Sequence, residues 1–119
     1  MNETTAPPPV EPGINPKLLK PGTVLMLEGE SDLYELTMRY PEHGIAEVNS
    51  NHPALRQAGY GQFIGSVRPS HPGVRLNAIQ KGWAMSLRFR NGEFMTQVIL
   101  AARVGGARDD GSRWSYDVF

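Results

Sequence analysis

From Thr23 onward apolar and polar side chains alternate with period two, the mark of strands with one buried face. The clearest run is Leu33 to Tyr40, which places Tyr34, Leu36, Met38 and Tyr40 on one face and Glu35, Thr37 and Arg39 on the other. Thr23 to Leu27 predicts a strand before it, with Glu28 to Asp32 as the connecting loop, and Pro41-Glu42-His43-Gly44 turns the chain into a third strand, Ile45 to Asn49. His52-Pro53-Ala54-Leu55-Arg56 predicts a single helical turn, because proline sits at its first helical position. Gly61 to Val67 predicts a fourth strand, stopped by Pro69 and Pro72, and Val74 to Ile79 a short irregular one.

The strongest local signal lies further on, where Trp83 to Arg90 and Glu93 to Val104 flank Asn91-Gly92. Asn-Gly favours a two-residue type I′ turn, whose central residues both need φ > 0. Counting outward from that turn sets Arg90 opposite Glu93, Leu87 opposite Thr96, Met85 opposite Val98 and Trp83 opposite Leu100, with Trp83 facing inward. The other face then carries Ala84, Met95, Ile99 and Ala101, more apolar than a wetted face requires. Gly105 to Gly111 predicts a polar loop, and Trp114, Tyr116 and Val118 alternate in a terminal strand.

The chain before Thr23 follows different rules. Residues 1–14 contain Pro7-Pro8-Pro9-Val10-Glu11-Pro12, where each proline fixes φ and removes a donor, so a disordered, proline-rich arm is expected there. Pro9 to Pro12 satisfies a PxxP spacing without a flanking basic residue, which favours a linker over a ligand. Asn15-Pro16 then starts a helical turn that Pro21-Gly22 ends, with Leu18 and Leu19 anchoring the arm. Residues 15–119 are expected to form one all-β domain of roughly six or seven short strands, a small antiparallel barrel (SH3-like or OB-like by analogy) or a small sandwich. Closure has a motive, since an open sheet this small exposes unpaired edges.

Composition narrows the chemistry. The 119 residues include 13 Gly and 10 Pro but no Cys, which excludes disulfides, thiol nucleophiles and thiolate zinc sites. No basic leader with an apolar stretch opens the chain and no long apolar run follows, so a cytoplasmic protein without a membrane segment is expected. Net charge is zero, yet residues 1–50 hold three basic and eight acidic side chains, and residues 51–119 nine and four. Such a split suits either a binding field or internal neutralisation.

No catalytic constellation emerges. His43, His52 and His71 occupy turns without HxH or HExxH spacing, so solvated loop histidines are favoured over a metal site. Gly59-Tyr60-Gly61-Gln62-Phe63-Ile64-Gly65 misses GxGxxG by one position and leads into prolines, which fits strand-bend glycines. The serines lack a GxSxG or SxxK context, and Asp109-Asp110-Gly111 lacks the spacing of a calcium loop. No cofactor or metal is expected.

What remains is a basic strip in the second half, Arg75, Lys81, Arg88, Arg90 and Arg103, with Tyr60, Phe63 and Trp83 as candidate stacking partners. The expectation is therefore a non-catalytic interaction or accessory domain that binds protein or self-associates. The alternative is a small barrel binding nucleic acid through those basic and aromatic residues, and a third option is an enzyme using His43 or His71 at a loop end.

Overall fold

A computed structural model describes residues 13–69 and 73–119. It is all-β. In chain order the strands are β1 (Gly13–Ile14), β2 (Val24–Glu28), β3 (Leu33–Tyr40), β4 (Ile45–Ser50), β5 (Gly59–Val67), β6 (Val74–Arg75), β7 (Ile79–Gln80), β8 (Ala84–Phe89), β9 (Gly92–Val98), β10 (Ala101–Ala107) and β11 (Arg113–Asp117). Short 3-10 turns form at Pro16–Leu18, Pro41–His43 and Pro53–Leu55, each with proline in the first turn; the sequence predicts the first and third as helical turns and the second only as a turn between strands. No helix among the described residues is long and apolar enough to cross a membrane.

Every ladder is antiparallel. The main sheet runs β11-β10-β2-β3-β4-β5-β8-β9, with β6 also on β5, and β1 pairs with β7 apart from it. The inward face places Leu25 and Leu27, Tyr34, Leu36 and Met38, Ala46 and Val48, Phe63, Met85 and Leu87, and Ala102 and Val104 in one core. Full burial of each large apolar side chain contributes about 1.5–3 kcal/mol.

The expected closed barrel is not formed. The ladder is open, and among the described residues β9 and β11 each have a single hydrogen-bonded neighbour. The reason lies at Ile99 and Leu100. The Ile99 amide donates to the Trp83 carbonyl at 2.9 Å, and the next amide, of Leu100, donates to the Glu28 carbonyl at 2.7 Å. The run from Glu93 to Val104 is therefore two strands with different neighbours, joined by a corner that takes the chain from β8 to β2. One strand changing partners replaces a closing ladder.

The β8–β9 register also differs from expectation. Phe89 pairs with Gly92, Arg88 with Glu93, Leu87 with Phe94 and Ser86 with Met95, so Arg90 and Asn91 form the turn. Gly92 takes φ 139, and the only non-glycine residue with positive φ among the described residues is Gln57, so Asn91 does not adopt the type I′ conformation. The slide is two residues, which preserves each side chain's face. A bulge between Ala84 and Ser86 then changes parity, and Thr96 Oγ1 accepts the Met85 amide at 2.9 Å. Ile99 consequently enters the core, Leu100 is 51% exposed, and Trp83 is half-buried outside the core.

At Gly65 a Cβ would lie 2.9 Å from the Arg75 carbonyl oxygen, and the β5–β8 register shifts between Phe63 and Gly65. The glycines of this segment thus serve a strand irregularity, not a phosphate loop. The proline-rich segment 1–12 lies outside the described residues, but Gly13 and Ile14, assigned to the arm from sequence, form β1, and Ile14 is buried. The anchor is Ile14 and Pro16 with Leu19 packed beside them; Leu18 is exposed. Gly105 to Ala107, expected in a loop, continue β10.

Candidate functional site

The six residues singled out from sequence occupy three separate places. Arg88 (β8) and Tyr60 (β5) stand on the outer face around Gln62, which pairs with Arg88, and Arg90 caps the β8–β9 turn. Arg75, on β6, and Lys81, in the turn before β8, lie toward the opposite end of β5. Arg103 is on β10, remote along the sheet. Several are also engaged. Arg88 meets Glu93 at 3.1 Å, Arg103 meets Asp117 at 2.9 Å, and Arg75 donates to the Gln80 side chain. Glu93 thus neutralises Arg88, where the expected register gave it Arg90. The strip is not one patch.

A smaller grouping appears where Arg68 sits over the Trp83 ring, 5.7 Å from its centroid. Arg68 pairs its amide with the Gly73 carbonyl at 3.0 Å, so β6 and its basic Arg75 adjoin this corner. Phe63 is core and offers no stacking surface.

His52 accepts the Ala54 amide on Nδ1 at 3.0 Å and meets Phe94 edge-on at 4.9 Å between centroids. It is a capping residue for the 3-10 turn at Pro53–Leu55. His43 is exposed, 4.0 Å from Glu42, and His71 lies outside the described residues. No group of three His, Asp or Glu suited to a metal occurs among the described residues. Asp110 Oδ1 accepts from the Ser112 amide and hydroxyl at 2.9 and 2.6 Å, which holds its carboxyl below the usual range and closes the β10–β11 turn.

A further concavity lies elsewhere among the described residues. A groove of about 640 Å3 separates the segment Leu18 to Thr23 from the β10–β11 hairpin. Trp114 and Tyr116 form one wall, stacked at 5.7 Å between centroids with 18° between planes. Their placement follows from register: Trp114 pairs with Gly106 and Tyr116 with Val104, so both aromatics share the core-facing side of β10. A Cβ on Gly106 would fall 3.0 Å from three indole atoms, so glycine is what lets the ring lie flat on the strand. As β11 is the last strand, its aromatics extend past the core, leaving Trp114 half-buried and Tyr116 57% exposed. Leu18, 81% exposed, and Pro21 line the facing side with Lys20; Asp109 lies at the hairpin.

Among the described residues neither the Trp114 indole N–H nor the Tyr116 hydroxyl makes a hydrogen bond, so the wall presents apolar faces with free polar tips. The sequence alone places Trp114 and Tyr116 only in alternation along a terminal strand. The available signal was the Gly105-Gly106 pair before a tight turn, which marks a strand over which large rings lie. The chain matches no family model, no curated protein and no solved structure.

Proposed function

We propose that this chain is a non-catalytic interaction domain that binds a protein segment in the groove between Leu18–Thr23 and the β10–β11 hairpin. The observation that carries the proposal is the stacked Trp114–Tyr116 pair, half-buried and exposed respectively, on an edge strand with no second neighbour among the described residues. Aromatic rings with polar tips supply contact area at small entropic cost, and a free edge offers main-chain donors and acceptors. Exposed large apolar residues opposite them, Leu18 above all, complete an amphipathic trough suited to an extended peptide.

The test is selection of peptides from a random display library on the full chain, followed by titration of a selected peptide while backbone amide resonances are recorded. Shifts should concentrate at residues 18–23 and 104–116. Shifts centred on Arg68, Trp83 and Lys81 would overturn the assignment. The nucleic-acid alternative draws its support from the Arg68–Trp83 contact near Arg75. Retention on a single-stranded DNA matrix that weakens steeply with salt, lost in an Arg68→Ala/Lys81→Ala variant, would favour it.

A further inference from the structure

We propose that the groove takes a proline-rich extended segment, and that its resident occupant is the chain's own Pro7-Pro8-Pro9. The inference rests on the groove being the protein-binding surface and names the chemistry it recognises.

Three observations converge on this occupant. The first is chemical. A polyproline II segment has no internal hydrogen bonds and presents flat rings and unpaired carbonyls, so it is recognised by stacked aromatics that also donate. Trp114 and Tyr116 are such a pair, with an indole N–H and a hydroxyl that have no partner among the described residues, and Pro21 and Leu18 form the opposing wall. The second is reach. The described chain begins at Gly13, five residues before the groove-lining Leu18, a path of at most about 18 Å. At about 3.1 Å per residue, Pro7 lies roughly 19 Å along the chain from Gly13. The three consecutive prolines are therefore far enough along the chain to reach the groove. The third is charge. Residues 1–12 carry Glu3 and Glu11 and no Lys or Arg, while Lys20 lines the groove and Arg108 and Arg113 flank the β10–β11 turn beside Asp109.

Tethering sets the strength required. A short linker holds the arm at an effective concentration on the order of millimolar, so even a millimolar intrinsic affinity fills about half the grooves. An external proline-rich partner must displace the arm, which makes residues 7–9 a built-in competitor.

The experiment compares the full chain with a Pro7→Ala/Pro8→Ala/Pro9→Ala variant by amide and indole resonances at several protein concentrations. The Trp114 indole N–H and the amides of Lys20, Ala107 and Tyr116 should shift in the variant. A synthetic peptide of residues 1–13, added to the variant, should move them back. Peptides selected by display should bind the variant at least about two-fold more tightly than the original chain, the factor by which a half-filled groove lowers apparent affinity. Unchanged groove resonances would overturn the proposal. Shifts that depend on protein concentration, with a dimer by light scattering, would place the arm on a second copy and overturn the assignment to its own groove. Selected peptides that map to the groove but bind both proteins equally would remove the arm while leaving the groove as a binding surface. Display peptides that map elsewhere while the proline variant still shifts the groove would remove the external partner alone.

Discussion

The sheet ends differently on its two sides. At the β9 end the last strand is tied to the rest of the molecule by one side chain: Gln97 Oε1 accepts the Ser31 and Asp32 amides at 2.9 and 3.0 Å, its Nε2 donates to Ser31 Oγ at 2.8 Å, and its own amide donates to the Tyr34 hydroxyl at 3.0 Å. At the β11 end no comparable cross-tie exists among the described side-chain bonds; the strand carries an ion pair to its own neighbour and two aromatics that extend past the core. An edge strand is a hazard unless it is covered, twisted or used. The first edge is secured internally, and the second is left as a surface.

Substitutions should separate these two ends. The largest loss is expected from Leu87→Ala, in the core beneath β8 and β9, at about 2–5 kcal/mol by urea denaturation, because a fully buried leucine leaves a cavity. Gln97→Ala should follow at about 2 kcal/mol, since it strips acceptors from two loop amides, and it should speed hydrogen exchange at residues 29–32 while leaving 113–117 unchanged. Equal exchange at both ends in the original chain would undo the contrast. Trp83→Ala, at a position that counting outward from Asn91-Gly92 sets facing inward, should cost only about 1 kcal/mol, because the ring is half-buried under Arg68 and outside the core.

A smaller effect should appear with pH. Burial disfavours the Tyr34 phenolate and raises its pKa above 10.0, with the nearby Asp32 adding to the shift and the Gln97 amide opposing it. The folded state thus favours the protonated form, and this contribution is intact below pH 10 and lost as pH rises through the folded value. Denaturation midpoints taken between pH 8 and 11 should fall more steeply for the original chain than for Tyr34→Phe above about pH 10. Parallel curves would show that the hydroxyl is not buried against β9.

How much of this was legible follows from what a period of two can encode. Alternation locates β3 to the residue and the inward face of β2, of β3 as far as Met38 and of β4, because burial of one face is what it records. Bulges leave Tyr40, expected inward, 55% exposed and Val67, expected beside Phe63, outside the core. Alternation is blind to an even slide, so from Ser86 to the turn the β8–β9 hairpin kept its faces while each partner moved by two. It also cannot register a bulge, which is why Ile99 and Leu100 exchanged roles and why the corner that opens the barrel was read as a continuous strand. The groove escaped notice for a related reason. Trp114 and Tyr116 have the pattern of a buried face, and only their position on the final strand, over Gly106, makes that face a wall.

The most direct test asks whether the groove side chains serve folding or binding. The measurement is the denaturation midpoint of a Leu18→Ala/Tyr116→Ala variant, paired with titration of a display-selected peptide. Because both side chains are mostly exposed, stability should stay within about 1 kcal/mol of the original while peptide binding is lost. A loss of stability as large as that of Gln97→Ala, or peptide binding that survives unchanged, would contradict the assignment of the β11 end as the molecule's binding surface.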